Sequence, residues 1–359
     1  MKVTPTGQPT PLGVRLRQEV ERRLKPTRGW TRGLSVRLSV LGVAWLGLYA
    51  SILSGHLPCT ALVATMALLH LTLFELALTA HDGSHDAVSS SPVTNHLVRS
   101  IFDLVGVSSY LWDYDHVQAH HGYPNVPGYD SNLRMYPGLR LDPQAPRRWY
   151  HRFQHLYAPL VYAHATIAKV LIADFANLRR DRIGAVEVGA HPKRSLAWML
   201  GLKAVALLHI YVLPFVVLSD PAWQIALSMY VGNVLSGLLL GFIFQVTHTN
   251  ELVQHPDLDA RGRLPGGFAE HVLATTADFG VESRWLAHLT GGLNTHAVHH
   301  LLPTLSQVHL RDAASVLDEV CRESGVEYKR FPTWRAAIGS HFRALKALGV
   351  APVEPSATR

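Results

Sequence analysis

The chain has 359 residues, 48% hydrophobic and only 16% charged, with a net charge of +7, 22 histidines and 2 cysteines. An ordinary soluble domain carries about a quarter charged residues, so this composition argues against a soluble globular enzyme. Two isolated cysteines, Cys59 and Cys321, exclude a disulfide framework and a CxxC-type metal site.

Residues 1–37 are polar and basic, with Arg15, Arg17, Arg22, Arg23, Lys25, Arg28, Arg32 and Arg37 against Glu19 and Glu21. They hold no short apolar core of the kind a cleaved signal peptide needs. They read as a cytoplasmic arm, either amphipathic on anionic lipid or frayed, its charges merely setting topology. From Leu38 to Phe74 no Asp, Glu, Lys or Arg occurs. A bilayer core takes roughly 20 helical residues, so this run predicts two spans, 38–55 and 59–80. His56-Leu57-Pro58 joins them, with Pro58 suited to a first helical turn.

Residues 153–178 are apolar but broken by His164, Lys169 and Asp174, and read as an interfacial or buried helix, not a fifth span. A second pair of spans is predicted at 196–218 and 223–247, joined by Ser219-Asp220-Pro221-Ala222. Lys203 is expected to snorkel and Pro214 to kink the third span. Residues 305–348 read as amphipathic helices punctuated by Gly325 and Pro332, and 349–359 as a disordered tail. The expected fold is therefore all-α and membrane-integral: four transmembrane helices in two hairpins under a helical cap. The arm occupies 1–37 and the membrane domain 38–348, with cytoplasmic segments 81–195 and 248–348.

Charge orients the spans. The connections 56–58 and 219–222 carry no Lys or Arg, whereas the arm, the central segment (Arg179, Arg180, Arg182, Lys193, Arg194) and the C-terminal region are basic. The positive-inside rule places both termini and the cap in the cytoplasm. No nucleic-acid motif accompanies the charge.

Three histidine clusters fall on that side: His81 and His85; His116, His120 and His121; His296, His299 and His300. Residues three and four apart share a helical face, so each cluster can aim its imidazoles at a common point. His248 ends the fourth span as His81 ends the second. The spacing H-x-x-x-H alone is weak; His151 and His155 repeat it and read as structural. Two triads and a pair on one face are not accidental. Imidazole suits zinc, copper, iron or nickel. Nine histidines are too many for one centre and fit two metals with about four or five ligands each. H-E-x-x-H is absent, against a zinc peptidase, and so is Glu-x-x-His, against a soluble carboxylate di-iron protein.

On these residues the sequence resembles the membrane fatty acid desaturases with three histidine boxes, and is similar within them to bacterial acyl-CoA and front-end types. The resemblance covers most of 34–348. It rests on His81-Asp82 with His85, Ser108-Ser109-Tyr110-Leu111-Trp112, Asn125, Gly128 and Asp130, Gly291-Gly292-Leu293-Asn294, and His299-His300-Leu301-Leu302-Pro303. It implies a non-heme di-iron centre, O2 as co-substrate, and insertion of a double bond into a fatty acyl chain carried by CoA, lipid or a carrier protein. It also implies that the nine histidines hold the irons. No cytochrome b5 motif is present, so electrons are expected from a separate donor of ferredoxin or cytochrome b5 type. Front-end members usually open the third box with Gln where this chain has His296, which leaves regiochemistry open. Asp113 and Asp115 stand where relatives tend to be basic.

Around the boxes, Gln245 is positioned to hold a metal-bound water, and Asp82, Asp130 and Asn294 to accept the second N–H of a ligating imidazole. Tyr110, Trp112 and Phe242 are candidates for an acyl tunnel, with core packing as the rival reading. Glu75 reads as functional or merely solvated. His56, His70, His164 and His209 read as packing or interfacial residues. The competing functions are a di-iron hydroxylase or ketolase acting on lipid or carotenoid, and a non-catalytic membrane metal-binding protein.

Overall fold

The computed structural model describes residues 10–25, 32–135, 137–264 and 266–354. Helix α1 (Pro11–Leu24) precedes two long apolar helices, α2 (Arg32–Leu53) and α3 (Cys59–Ser84). The short α4 (Pro92–Arg99) and α5 (109–120) follow, and the second part of α5, Asp113–His120, is a π-helix. A bent pair, α6 (Trp149–Ala163) and α7 (Ala165–Asn177), leads to α8 (Lys193–Val217) and α9 (Ala222–His248). The C-terminal region contains α10 (Phe268–Thr275), α11 (His296–Leu301), α12 (Gln307–Glu323) and α13 (Trp334–Val350). Two minimal strand pairs complete it: β1 (Arg182–Ile183) antiparallel to β2 (Val186–Glu187), and β3 (Asp278–Phe279) parallel to β4 (Arg330–Phe331). Among the described residues α2, α3, α8 and α9 are long and apolar enough to cross a bilayer, so the chain is a multi-pass membrane protein.

Helices α3 and α9 form the central pair and run in the same direction. His70 meets Asn233 and His81 meets Phe244, an offset of 163 residues at both contacts. Both helices therefore deliver their C-terminal histidines to one face. Helix α8 reaches α9 through a short turn and must run the opposite way. The segment between α3 and α8 thus starts and ends on the histidine face, which forbids a single crossing by the bent pair.

The bent pair is re-entrant. Its two helices meet at 64°, and Thr166 Oγ1 donates to Asn233 O at 3.0 Å, beside the middle of α9. Gly237 and Gly241 make that approach possible. A Cβ on Gly237 would stand 2.5 Å from Ala163 O, and one on Gly241 2.4 Å from Tyr162 Cβ. Helix α7 then returns, and Lys169 Nζ reaches Asp115 Oδ2 in α5 at 2.8 Å. Residues 81–195 are therefore not wholly outside the long helices, contrary to the sequence expectation.

Lys203 does not snorkel. It turns inward to Asp174 Oδ2 at 2.6 Å and to the carbonyls of Gly106 and Val170, because α7 brings a carboxylate inside. The break in α8 is a π turn at Leu208–Val212, one turn before Pro214, whose missing N–H and ring disturb the preceding carbonyls.

The N-terminal segment departs from both readings offered for it. Pro11 opens α1 after Thr10, whose hydroxyl accepts from Gly13 N. Leu12, Leu16 and Val20 recur at helical spacing and are buried against Val272, Val298 and Leu317 of the cap. Arg15 pairs with Glu323 and Arg23 with Glu319, so α1 is docked on α12. Residues 1–9 and 26–31 lie outside the described residues. The expected tail at 349–359 is ordered in its first part. Helix α13 runs to Val350, and the fully buried Arg140 donates to Ala351 O and Pro352 O, each at 3.0 Å. Residues 355–359 are outside the description.

Candidate metal centre

Four elements converge where α3 and α9 end. Helix α3 presents His81 and His85, one turn apart, and α9 presents His248 as its last residue. Helix α5 starts at Ser108, whose hydroxyl accepts from Leu111 N at 3.2 Å, and its π turn carries His116 and His120 with His121 immediately after. The i to i+5 bonding of a π-helix widens the turn and brings His121 closer to the face of His116 than an α-helix would, and His116 and His121 join one group while His120 joins the other. Helix α11 presents His296 and His300 on one side and His299 on the other. Its start is fixed by Asp278, whose carboxylate accepts from Ala297 N at 2.7 Å.

The nine imidazoles fall into two buried groups. His81, His85, His116, His121 and His299 form the first, and His120, His248, His296 and His300 the second. Within each group one ligand atom per residue lies within 4.8 Å of every other. His121 and His300 stack at 4.2 Å between ring centroids and join the groups. The second and third boxes therefore straddle two centres and do not each aim at one point, as α-helical spacing alone suggests.

The donor chemistry fits a pair of metal ions. In the first group His116 Nε2 lies 2.9 Å from His81 Nε2 and 3.2 Å from His121 Nε2, and His121 Nε2 lies 3.1 Å from His299 Nε2. A neutral imidazole has one N–H. Three such contacts in a row cannot all be ordinary hydrogen bonds, because one ring nitrogen would have to serve two neighbours. Buried nitrogens without a hydrogen-bond partner remain on His85, His120, His121, His296 and His300. Burial first, and the neighbouring imidazoles second, hold His85, His116, His121, His296, His299 and His300 well below the usual histidine range. At neutral pH these rings offer lone pairs to a shared cation instead of protons.

Residues 54–332 match the model of the family described as fatty acid desaturase. The chain belongs to the fatty acid desaturase family. It is 32% identical over 273 residues to an acyl-lipid (8-3)-desaturase of Physcomitrium patens, covering 75% of this chain and 56% of that protein. It is 31% identical over 274 residues to an sn-1 linoleoyl-lipid 6-desaturase of Synechocystis sp., covering 76% of each. A Delta(5) fatty acid desaturase A of Dictyostelium discoideum is 31% identical over 282 residues, 76% of this chain and 60% of that protein. The chain thus spans little more than half of the first relative and three quarters of the second. Membership places the protein among oxidoreductases, and the matched region contains all nine clustered histidines.

The supporting residues of this desaturase-family centre separate clearly. Asp130 accepts from His120 Nδ1 at 3.0 Å and from the backbone of Asn125 and Asn132 at 2.8 Å each. Burial alone would raise its pKa; the facing His120 and these N–H groups outweigh burial and hold it below the usual carboxylate range. Asp82, in contrast, accepts from Ser306 Oγ at 3.0 Å and Gln307 N at 2.9 Å, so it caps α12 and holds no imidazole. Asn294 is engaged with Thr290 and with Phe279 O at 3.1 Å, also away from the rings. Gln245 is buried one turn before His248, its amide oxygen 3.4 Å from Thr249 Oγ1.

An apolar cavity opens onto the first group. Trp112 lines it together with His81, Phe74, Leu240 and Phe244, and donates its indole N–H to Ser84 Oγ at 3.2 Å. Tyr110 does not line it; its hydroxyl meets His191 Nδ1 at 3.0 Å. Phe242 does not either, packing on Tyr162 and Phe342. Two residues apart on α9, Phe242 and Phe244 point to different sides, and Phe244 has the cavity.

Sequence reading missed several supports, and named Asn125 only as part of the resemblance, without a role. Asn125, with φ of 57°, donates to His248 O at 2.7 Å and to Gln254 and Thr275 carbonyls. His271 Nε2 donates to Pro124 O at 2.8 Å. His341 bridges Thr249 O at 2.6 Å and the Tyr162 hydroxyl at 2.9 Å. Asp278, pushed up to about 7 by burial, also accepts from the Tyr328 hydroxyl. None of these lies in a repeated motif, and each acts through a contact distant in sequence. Glu75, read as functional or solvated, pairs with Arg37.

Proposed function

We propose that the protein is an O2-dependent fatty acyl desaturase whose nine clustered histidines hold two irons, acting on acyl chains of membrane lipids. The observation that carries the reading is the opening of an apolar cavity onto His81, at the edge of two buried imidazole groups. The lipid-linked substrate is supported by the printed activities of the relatives, among them acyl-lipid and linoleoyl-lipid desaturases. Iron, when bound, supplies the activation of O2 that removes two hydrogens from adjacent methylenes. Per double bond one O2, two external electrons and two protons are consumed and two waters leave.

The chain's own residues orient and exclude. Asp130 keeps the proton of His120 on Nδ1 and so turns Nε2 inward as a lone pair. Leu73, Phe74, Leu240 and Phe244 exclude water from the acyl chain and hold a C–C bond beneath the first group. Trp112, tilted against His116 with centroids 4.4 Å apart, forms the wall at the reacting end. Electrons come from a separate donor of ferredoxin or cytochrome b5 type. The basic arm and central segment support a cytoplasmic centre and cytoplasmic termini. Of the arm, α1 belongs with the cap, on which its Leu12, Leu16 and Val20 pack.

Expression in a host of known lipid composition with a compatible donor, followed by gas chromatography–mass spectrometry of derivatised acyl chains, tests the proposal. A new double bond is expected. A hydroxy product would assign the hydroxylase chemistry instead, and unchanged lipids with both irons bound would overturn the reading.

A further inference from the structure

The cavity that begins at His81 and Trp112 ends differently from how it starts. Its wall is apolar through Leu73 and Phe74, and its far end is polar, formed by His70, Thr166, Tyr211 and Asn233. These four belong to four different helices, α3, α7, α8 and α9. Asn233 is the node. Its Oδ1 accepts from the Tyr211 hydroxyl at 3.1 Å and lies 3.5 Å from Thr166 Oγ1. Its Nδ2 lies 3.0 Å from His70 Nε2 and donates to Met229 O at 3.0 Å. His70 in turn uses Nδ1 on Met66 O at 2.9 Å. Ser236, one turn nearer the histidine clusters, adds a buried hydroxyl without a hydrogen-bond partner.

We propose that the Asn233 network is the end stop of the acyl cavity and limits how many carbons lie beyond the new double bond. The inference rests on the desaturase reading and specifies its substrate. His70 and His81 are eleven residues apart on one helix, about 16 Å at ~1.5 Å per residue. With C–C bonds of ~1.5 Å, an extended chain advances about 1.3 Å per carbon, so the space takes about a dozen carbons. A longer tail cannot slip past. Its methyl end would separate the Tyr211 hydroxyl from Asn233 and leave both unpaired in an apolar interior, which costs more than the added methylenes return. A shorter tail leaves the apolar wall partly uncovered. The favoured substrate is thus an acyl chain with about a dozen carbons on the methyl side of the bond attacked.

Two variants test this on the full chain, Tyr211→Ala, which removes the ring, and Tyr211→Phe, which removes only the hydroxyl. The first measurement is the product profile from a host fed a graded series of acyl chain lengths. The second needs no turnover: thermal stabilisation of the purified protein by lysophosphatidylcholines of the same graded lengths. In wild type both readouts should rise with length and fall past the ceiling. Tyr211→Ala should move the ceiling outward by about two carbons and raise the long-to-short ratio about tenfold, the effect of two more buried methylenes. Tyr211→Phe should move it in the same direction by less, and it carries the test if the alanine variant does not fold. Ceilings unchanged in both variants, or stabilisation indifferent to length in wild type, would overturn the proposal. Wild type that makes no double bond yet shows the length ceiling in the binding measurement would sink the desaturase reading and leave the end stop standing.

Discussion

In the second imidazole group two rings are tethered to protein oxygens: His120 to Asp130, and His248 Nδ1 to Thr275 O at 3.3 Å. Among the described residues, the hydrogen-bond contacts of the first group's ring nitrogens run to other imidazoles. The first group instead borders the apolar cavity through His81. A tethered ring keeps its tautomer and angle without a metal. An untethered set is organised by the ion it binds. The second group thus has the character of the anchored site, and the first that of the adaptable site facing the cavity.

Removing one ring from each group is the strongest way to break this comparison. His121→Ala and His300→Ala should both reduce desaturation to background. Iron analysis should separate them, with about one of two irons retained in each case. If the groups differ as argued, His121→Ala loses its iron more completely, because its neighbours have no other anchor. Equal and complete loss of both irons from either variant would show a single inseparable centre.

A subtler cut is Asp130→Asn against Asp82→Asn. Outer partners of metal-bound imidazoles typically contribute about 10–100-fold in affinity or activity. That loss is expected for Asp130→Asn, with rescue by Asp130→Glu in part. Asp82→Asn weakens only the start of α12, about 1 kcal/mol of capping, and should leave iron content near wild type. Similar iron loss from both would mean that the hydrogen bonds to Asp130 are not what distinguishes the second group.

Acid provides a third test. Burial pushes His255 and His271 down to about 4, and His341, which also bonds Thr249 O, likewise to about 4. Unfolded histidine takes up a proton near pH ~6.5. Below that pH the unfolded chain binds more protons than the folded one, so stability is whole above about 6.5 and drains as pH falls toward 4. The thermal midpoint of the purified protein should therefore be flat above neutrality and drop on acidification. A midpoint that holds down to pH ~4.5 would mean that these rings are not buried neutral.

What could be read from sequence divides along the same physical lines. Long charge-free runs at Leu38–Phe74 and Trp223–Thr247 exposed the first, second and fourth spans directly, and the third, 196–218, was legible despite Lys203, since composition and length define all four. Eight of the nine histidines were legible because their spacing is dense, and His248 because it ends the fourth span as His81 ends the second. Their division into five and four was not, because the π turn at Asp113–His120 changes the period locally and nothing in Asp113-Tyr114-Asp115 announces it. Sequence ranked Asp82, inside the first box, no lower than Asp130, nine residues after the second; only tertiary contact shows that Asp130 meets a ring and Asp82 a helix start. The elbow at His164 was hidden for a similar reason: it depends on Gly237 and Gly241, some seventy residues away.

The smallest expected effect, the removal of two surface charges, concerns α1, whose charges suggested lipid or disorder. Its docking has an apolar part and a charged part, and they should separate. Leu16 is 1% exposed within the cap core, so Leu16→Ala should cost about 2–5 kcal/mol of cap stability. Arg15 and Arg23 pair with Glu323 and Glu319 on the surface, where solvent and salt screen the attraction. Neutralising both arginines to glutamine should leave the thermal midpoint unchanged within error at physiological salt. A midpoint shift as large as that of Leu16→Ala, disappearing at high salt, would mean that charge and not the Leu12-Leu16-Val20 stripe seats the helix. In that case the sequence was right to weigh the arm by its charge, and wrong only about the partner, which is the acidic face of α12 and not a lipid surface.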